Sequence, residues 1–284
     1  MGTLYVVATP IGNLGDISLR ALEILKSVDI IACEDTRQTL KLLNHFEIKK
    51  KLVAYHKFNE IGKSTSLVND LKNGLNIAIV TDAGTPCISD PGYILVKEAR
   101  ENNIEVIAIP GASAVVSALS VSGLDTSKFS FVGFLSTDNT KFNEEIENIK
   151  NSRVNTFVIY ESPKRIVKLF GKLVENFPNS KAYIASDLTK IHERGFFGRI
   201  ENVYETIKND PNIEKGEYAI VLQKEDKKEE KEESITLEAL IVDTMIKNKC
   251  NIKDAINKLC ENNKNIKKND LKEASLNIKK LFDI

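Results

Sequence analysis

The sequence predicts an α/β fold built of two α/β domains, followed by a small C-terminal helical module. Three observations support this prediction. Short apolar runs alternate with amphipathic helical patterns over residues 1–223, Gly- and Pro-rich motifs follow the apolar runs, and a charge run separates a lysine-rich C-terminal segment. Such alternation is typical of a mainly parallel sheet covered by helices on both faces.

The first domain, residues 1–115, contains five apolar runs that predict strands at residues 4–8, 29–33, 52–55, 77–80 and 106–109. The segments "ISLRALEILKSV" and "DPGYILVKEARENN" place apolar residues three and four apart, which predicts amphipathic helices between these strands.

The second domain, residues 116–223, repeats this alternation. The segments "FSFVGF", "NTFVIYES", "KAYIASDL" and "EYAIVLQ" predict strands. The segment "RGFFGRI" indicates an additional β segment, so we expect a more mixed sheet here. The boundary between the domains is placed near residues 110–125.

Residues 224–233, "KEDKKEEKEE", carry no apolar residue and predict a solvated charged linker. Residues 234–284 predict a small helical module that resembles a helix-turn-helix. Its excess of lysine over acidic residues favours RNA only weakly. Two apolar stripes support the helices: Ile252, Ala255, Ile256, Leu259 and Cys260, and Leu271, Ala274, Ile278 and Leu281.

Composition limits the functional classes. The 284 residues have a formal net charge of zero, so any contact with nucleic acid must be a local patch. The four cysteines form no CxxC pair and there are three histidines, which argues against zinc, and no metal is predicted. No apolar run approaches the ~20 residues of a membrane span and no signal-peptide pattern is visible, so a cytoplasmic protein without membrane contact is expected.

The unusual motifs all follow predicted strands. They are "TPIGNLGD", "CEDTR", "TDAGTP", "PGASA", "YESPKR" and "DLTKIHE". Because ligands of open α/β sheets bind beyond the carboxyl ends of the strands, these motifs predict a small-molecule site.

Two common nucleotide motifs do not fit. No G-x-G-x-x-G follows the first strand, so the dinucleotide fingerprint is absent. The segment "IGKST" imitates the end of a P-loop, but Lys57 stands where the pattern needs glycine five residues before Gly62. Residues 62–64 are therefore interpreted as a helix start.

The segment "VTDAGTPCISDPG", residues 80–92, is conformationally restricted. Gly84 and Gly92 permit backbone angles that a Cβ forbids, and Pro86 and Pro91 fix φ. It forms either a tight turn before the next helix or a backbone wall against a ligand. Together with Ser113, which can cap a helix, these features suit S-adenosylmethionine, although a nucleotide satisfies several of them.

Seven motifs in one order carry a family resemblance: "LYVVATPIGNLGDISLRALEIL", "CEDTRQT", "TDAGTPCISDPG", "PGASA", "YESPKR", "LTKIHE" and "KGE". Over residues 1–223 the chain resembles the ribosomal RNA methyltransferases of the tetrapyrrole methylase family, and the last 50 residues resemble their helix-turn-helix extension. The resemblance implies two domains of tetrapyrrole methylase type that bind S-adenosylmethionine in the interdomain cleft, often as a homodimer. It also implies 2′-O-methylation of a cytidine ribose in the decoding region of 16S rRNA, within the small ribosomal subunit.

The resemblance further implies site residues. The expected cofactor-binding residues are Pro10, Asp82, Ala83, Gly84, Thr85, Pro86, Ser113, Ala114, Tyr160, Leu188 and Thr189. Glu34 is the candidate catalytic base or orienting group, and Asp35 is its alternate. Arg37 is a third candidate, because its planar fork suits phosphate, but Glu34, Asp35 and Arg37 could instead form a local salt bridge that caps the next helix.

The candidates for substrate binding are Arg37, Lys164, Arg165 and Lys190. The chain departs from its relatives at Ala112, Lys164 and Asp187, where proline, histidine and glutamate are common. We expect the lysine at position 164 to alter how RNA phosphate is held.

Two other functions stay open. The same fold could methylate a tetrapyrrole or another small molecule, but the Gly-Gly-Asp-Pro loop of the small-molecule relatives is absent. The chain could also be a non-catalytic RNA-binding assembly factor, because fold alone does not determine function.

Overall fold

The computed structural model describes residues 1–225, 236–262 and 268–281, which form two compact units, Met1–Glu225 and Asp226–Ile284. Residues 226–233 of the expected charged linker lie outside the described residues. The strands are β1 (Thr3–Val7), β2 (Ile30–Cys33), β3 (Lys51–Ala54), β4 (Ile77–Val80), β5 (Glu105–Ile109), β6 (Phe129–Phe134), β7 (Thr156–Glu161), β8 (Lys181–Ser186), β9 (Arg194–Arg199) and β10 (Tyr218–Gln223). The helices are α1 (Leu19–Ser27), α2 (Thr36–His45), α3 (Glu60–Lys72), α4 (Tyr93–Glu101), α5 (Ala114–Val121), α6 (Asn139–Asn151), α7 (Ile166–Asn176), α8 (Ile200–Lys208), α9 (Leu237–Asn248), α10 (Ile252–Asn262) and α11 (Lys268–Leu281).

The first sheet has the strand order β3-β2-β4-β1-β5, and all of its pairings are parallel. Every residue of β2 and β4 is buried, because helices cover both faces. One face packs against α3 and α4, and the other packs against α1 and α2. The five predicted strands are confirmed to within one residue, and residues 62–64 lie at the start of α3 as interpreted.

The second sheet has the order β6-β7-β10-β8-β9, in which only β6 and β7 pair in parallel. The expected mixed sheet is confirmed, and the "RGFFGRI" segment forms the edge strand β9. Helices α6, α7 and α8 cover one face. The other face packs against α5, the helix that follows the last strand of the first sheet. This helix therefore joins the two sheets into one unit.

The C-terminal unit consists, in its described part, of α9, α10 and α11 around a small apolar core. Both predicted stripes contribute to this core, with Ile252 and Cys260 only partly buried and the side chain of Leu281 outside the described part. Across the described ranges, no helix combines the length and the apolar character needed to cross a membrane.

Candidate functional site

A cavity of about 520 Å³ opens beyond the ends of the strands of both sheets. Its described lining comprises Ile11, Phe134 and residues 83–85, 88–90, 113–114, 160–163, 188 and 216–219. These positions lie at or just beyond the last residues of β1, β4, β5, β6, β7 and β8, or they precede and begin β10. The volume lies within the roughly 300–1,000 Å³ of small-molecule sites.

The loops after β1 and β4 are joined at the base of the cavity. Thr9 and Gly84 form an antiparallel bridge, in which Thr9 N donates to Gly84 O at 2.9 Å and Gly84 N donates to Thr9 O at 3.1 Å. The Thr9 hydroxyl also donates to Thr81 O at 3.1 Å. These bonds fix the position of the β4 loop backbone relative to the β1 loop.

The loop after β4 carries several residues in the left-handed backbone region. Gly84 has φ 89° and Gly92 has φ 137°, while the non-glycine residues Cys87 and Ser89 have φ 71° and 66°. Such a conformation costs a residue with a side chain about 1–2 kcal/mol. A bond from Gly92 N to Glu60 Oε1 at 3.0 Å ties the far end of the loop to α3. The loop is therefore a strained turn before α4 and also one wall of the cavity, while its contact with a ligand stays a prediction.

The opposite wall is the segment after β8. Asp187 and Thr189 have φ 52° and 68°, and Lys190 Nζ donates to Asp187 Oδ1 at 2.8 Å and to Glu217 Oε2 at 3.1 Å. Gly12 lies so close that a Cβ there would stand 2.6 Å from the Lys190 side chain. Lys190 thus links Asp187 to Glu217 within this wall, and its side chain lies close to Gly12 of the β1 loop.

The cavity lining is acidic. It contains Asp90, Glu161 and Glu217, and the described lining includes no lysine, arginine or histidine. A carboxylate attracts a cation and repels a phosphate, most strongly where water is excluded. Because Glu161 is paired with Arg165 and Glu217 with Lys190, Asp90 is the lining carboxylate left outside an ion pair among the described residues, and the described lining offers no cation to hold a nucleotide di- or triphosphate.

Glu161 is the most buried of these carboxylates. Its side chain is fully inaccessible, and Oε1 accepts bonds from Ser162 N at 2.7 Å and from the Ser162 hydroxyl at 3.2 Å. Arg165 lies 3.1 Å from Oε2 and also donates to Leu135 O at 2.9 Å. These two contacts hold the Arg165 side chain beside the ends of β6 and β7.

Asp90 lies half-buried at the rim of the cavity, next to other carboxyl groups. Burial, followed by the negative charges of Glu34 and Asp82, raises the pKa of Asp90 to about 6. Burial is also the main cause of the raised pKa values of Glu34 and Asp82. Asp90 is not among the sequence-predicted site residues, and its placement inside the "TDAGTPCISDPG" motif was the available signal.

The "CEDTR" motif lies after β2, beside this cluster. Thr81 Oγ1 donates to Glu34 Oε2 at 3.2 Å. Asp35 is the N-cap of α2 and accepts from Arg37 N at 2.8 Å, and its carboxylate also binds the Arg37 guanidinium, with a shortest contact of 2.6 Å. These bonds lower the pKa of Asp35 to about 2. The capping salt bridge considered above is therefore present.

The structure places the sequence-predicted residues in two groups. Those that line the cavity are Ala83, Gly84, Thr85, Ser113, Ala114, Tyr160 and Leu188. Those outside its described lining are Pro10, Glu34, Asp35, Arg37, Asp82, Pro86, Lys164, Arg165, Thr189 and Lys190.

Some predicted roles take a different local form. Ser113 occupies the N-cap position of α5, but its side chain makes no capping hydrogen bond. Arg37, with its side chain 85% exposed, and the exposed Lys164 reach outward, whereas Arg165 and Lys190 are engaged in internal ion pairs.

Comparison with known proteins agrees with this architecture. A sequence model of the tetrapyrrole (corrin/porphyrin) methylases matches residues 3–204. The chain is 44% identical to "Ribosomal RNA small subunit methyltransferase I" of Halalkalibacterium halodurans, over 82% of this chain and 79% of that protein. It is 36% identical to the protein of the same name from Buchnera aphidicola, over 97% of this chain and 96% of that protein.

A solved structure has the same fold. Uroporphyrin-III C-methyltransferase from Thermus thermophilus, complexed with S-adenyl homocysteine, superposes with a TM-score of 0.54 at 17% identity, over 78% of this chain and 97% of that one. The parallel first sheet, the mixed second sheet and the cavity at the strand ends together with these matches show that the chain belongs to the tetrapyrrole (corrin/porphyrin) methylase family.

Proposed function

We propose that this protein is an S-adenosylmethionine-dependent methyltransferase that methylates the ribose 2′-oxygen of a cytidine in the decoding region of 16S rRNA. The observation that carries the proposal is the 44% identity, over most of both chains, to a relative named as a small-subunit rRNA methyltransferase. The seven motifs that carry the resemblance include most of the loops that surround the cavity.

The cavity fits the proposed cofactor. S-adenosylmethionine carries a sulfonium and an ammonium group, and among the described lining carboxylates Asp90 stands outside the ion pairs that hold Glu161 and Glu217. At Gly84 an added Cβ would lie 3.4 Å from the Ile11 side chain, so the backbone comes close to the cavity without filling it. The ligand would be held by Ala83, Gly84, Thr85, Ser113, Ala114, Tyr160 and Leu188. When bound, it supplies an electrophilic methyl group.

The predicted cofactor residues outside the described lining have a supporting role. Pro10 and Pro86 are buried and fix φ in the β1 and β4 loops. Asp82 Oδ1 accepts from Asp35 N at 3.1 Å and so joins the loops after β4 and β2. Thr189 N donates to Glu193 Oε2 at 2.6 Å, which holds the loop after β8.

The rRNA would meet the outward-facing cations. Arg37 and Lys164 are exposed at two sides of the site, and an arginine fork suits a phosphate. Arg165 and Lys190 instead shape the site through their ion pairs. Glu34 and Asp35 follow β2 beside the β4 loop, where an acceptor hydroxyl has to be oriented and its proton removed. The homodimer remains a prediction from the resemblance, and the cytoplasmic location remains a prediction from the sequence pattern.

The test is methyl transfer to a defined substrate. The purified protein is incubated with labelled S-adenosylmethionine and small ribosomal subunits that lack decoding-region methylation, and nuclease fragments are analysed by mass spectrometry. We expect one new 2′-O-methylcytidine in the decoding region. Cofactor binding without label on RNA would instead favour a small-molecule acceptor, and absence of both would favour the non-catalytic assembly factor.

A further inference from the structure

Strand β6 contains a bulge that turns its last side chain toward the cavity. The register of β6 against β7 shifts between Phe131 and Gly133, so Val132 is an additional residue, and Gly133 has φ 76°. Residues of a regular strand alternate between the two faces of a sheet, so Phe131 and Phe134, three positions apart, would lie on opposite faces. The bulge reverses this alternation and places both rings on the same face.

Contacts between aromatic rings show the result of the bulge. The rings of Phe131 and Phe134 both meet the ring of Tyr160 edge to face, with centroid distances of 4.9 and 5.7 Å. Phe134 and Tyr160 both line the cavity, yet Phe134 remains 57% exposed. The bulge therefore places an aromatic ring, oriented by Tyr160, where the cavity meets solvent.

The β4 loop lies against this end of β6. A Cβ added at Gly133 would stand 3.2 Å from Ser89 Oγ. Ile88, the preceding residue of that loop, also lines the cavity and is 47% exposed. By contrast, Ala219, on another part of the lining, is 3% exposed. The cavity thus has an enclosed part and an exposed apolar edge, which is formed by the β4 loop and the end of β6.

An exposed lysine lies on the segment that is bound to this edge. Arg165 donates to the backbone oxygen of Leu135, the residue after Phe134, at 2.9 Å, and so ties the loop after β7 to the end of β6. Lys164 precedes Arg165 and is exposed, and Pro163 before it lines the cavity. Proteins that bind unpaired nucleotides combine aromatic rings for the bases with cations for the backbone. Both kinds of group are present at this edge.

We propose that the acceptor cytosine stacks on Phe134, and that the exposed edge of the cavity thereby selects an unpaired nucleotide. This inference rests on the proposed function and deepens it, because it assigns the contact that holds the acceptor base. A free cofactor can enter the enclosed part of the cavity, whereas a nucleotide within an rRNA chain can reach the methyl group only from the open edge. An unpaired base presents its flat face, and stacking on an aromatic side chain is a common way to bind it.

The experiment compares Phe134→Leu and Phe134→Trp with the wild-type protein. Leucine keeps an apolar side chain but removes the aromatic face, whereas tryptophan enlarges that face. The matched controls are Phe129→Leu and Phe129→Trp, because Phe129 is a 44% exposed phenylalanine at the opposite end of the same strand. Single-turnover methylation of small subunits is measured as a function of subunit concentration, and S-adenosylmethionine affinity is measured separately by calorimetry.

We expect Phe134→Leu to lower the methylation rate at limiting subunit concentration by about 10- to 100-fold, because the stacked base is no longer held. Cofactor affinity should stay within about threefold of the wild type, since the ring contacts the acceptor and not the cofactor. Phe134→Trp should keep the rate within about threefold of the wild type, because it preserves an aromatic face. Both Phe129 variants should behave like the wild type.

A second readout does not depend on turnover. The chain contains no tryptophan, so Phe134→Trp introduces a single indole. Prepared with 5-hydroxytryptophan, this indole can be excited separately from the tryptophans of the ribosomal proteins. We expect its fluorescence to be quenched when small subunits bind in the presence of S-adenosylhomocysteine, because a stacked base quenches an indole. The indole of Phe129→Trp should not be quenched.

Full methylation activity of Phe134→Leu, or an indole of Phe134→Trp that is not quenched by bound subunits, would overturn the inference. A loss of cofactor affinity in Phe134→Leu that Phe134→Trp restores would show instead that the ring stacks on the adenine of the cofactor. An equal loss of activity in Phe129→Leu would assign the effect to the stability of β6. Absence of methylation by the wild-type protein would reject the proposed function itself, which distinguishes that failure from failure of this inference alone.

Discussion

Two aspartates on neighbouring loops of the first sheet have opposite chemistry. Asp35 follows β2 and Asp90 belongs to the loop after β4, and these two strands are paired in the sheet. The Arg37 guanidinium and backbone lower the pKa of Asp35 to about 2, whereas burial and the charges of Glu34 and Asp82 raise the pKa of Asp90 to about 6. The same residue type is thus kept charged in one loop and brought within reach of protonation near pH 6 in the other.

We infer from this difference that the loops after β2 and β4 have separate roles, one toward the substrate and one toward the cavity. The β2 loop is open to solvent and presents Arg37, which suits contact with an rRNA phosphate. The β4 loop borders the cavity and contributes its backbone and a carboxylate.

The largest expected effect concerns Gly84, which lies in the wall of the cavity that is proposed to bind the cofactor. Gly84→Val adds a branched side chain at φ 89° directly beside the cavity, so S-adenosylmethionine affinity should fall by at least about 100-fold in calorimetry. Gly74→Val is the matched control, because Gly74 has φ 94° and an added Cβ there meets nothing within 4 Å. Both variants should lose similar stability, and equal loss of cofactor affinity in both would argue that residues 80–92 form only a structural turn.

An intermediate effect is expected at the open loop. Arg37→Gln should weaken binding of small subunits by about tenfold at low salt and reduce the slope of log affinity against log salt by about one, since one phosphate contact is lost. Cofactor affinity should not change, because Arg37 is not among the described lining residues. The exposed Arg153→Gln is the control, and a loss of cofactor affinity in Arg37→Gln would contradict these separate roles.

The smallest effect is on stability, and its sign differs between the two aspartates. A carboxyl whose pKa is raised on folding destabilises the protein as the pH rises above the unfolded value near 3.8 through about 6. Asp90→Asn should therefore increase the free energy of unfolding at pH 8 by about 1 kcal/mol, a value reduced for partial exposure, and should gain little at pH 4.

Asp35→Asn should act in the opposite direction. Its lowered pKa stabilises the fold above the unfolded value, and this contribution is lost as the pH falls toward 2. Urea unfolding from pH 4 to 8 compares both variants. A decrease in stability for Asp90→Asn across this range would show that its carboxyl serves mainly a structural bond.

The local features of the fold could be predicted from the sequence. The buried strands β2 and β4 were predictable because their four-residue apolar runs are bounded by turn residues, and the edge strand β9 was predictable from "RGFFGRI". The position of Gly84 in a wall of the cavity was predictable from the restricted loop and the family motifs. In each case the information lies within a few neighbouring residues.

Interactions between residues that are distant in sequence could not be predicted from such local patterns. Lys190 was expected to bind substrate, but Asp187 and Glu217 pair with it, and Glu217 is distant in sequence. Asp90 was missed because its environment depends on Glu34, which follows a different strand.

The sequence by itself determined the strands of both sheets, the position of the conformationally restricted loop residues, and the family. Only the tertiary structure decided which carboxylates border the cavity, which cations remain outward, and how α5 joins the two sheets. The physical reason is that backbone preferences and apolar periodicity act locally, whereas burial and electrostatic interaction depend on groups that folding brings together from distant parts of the chain.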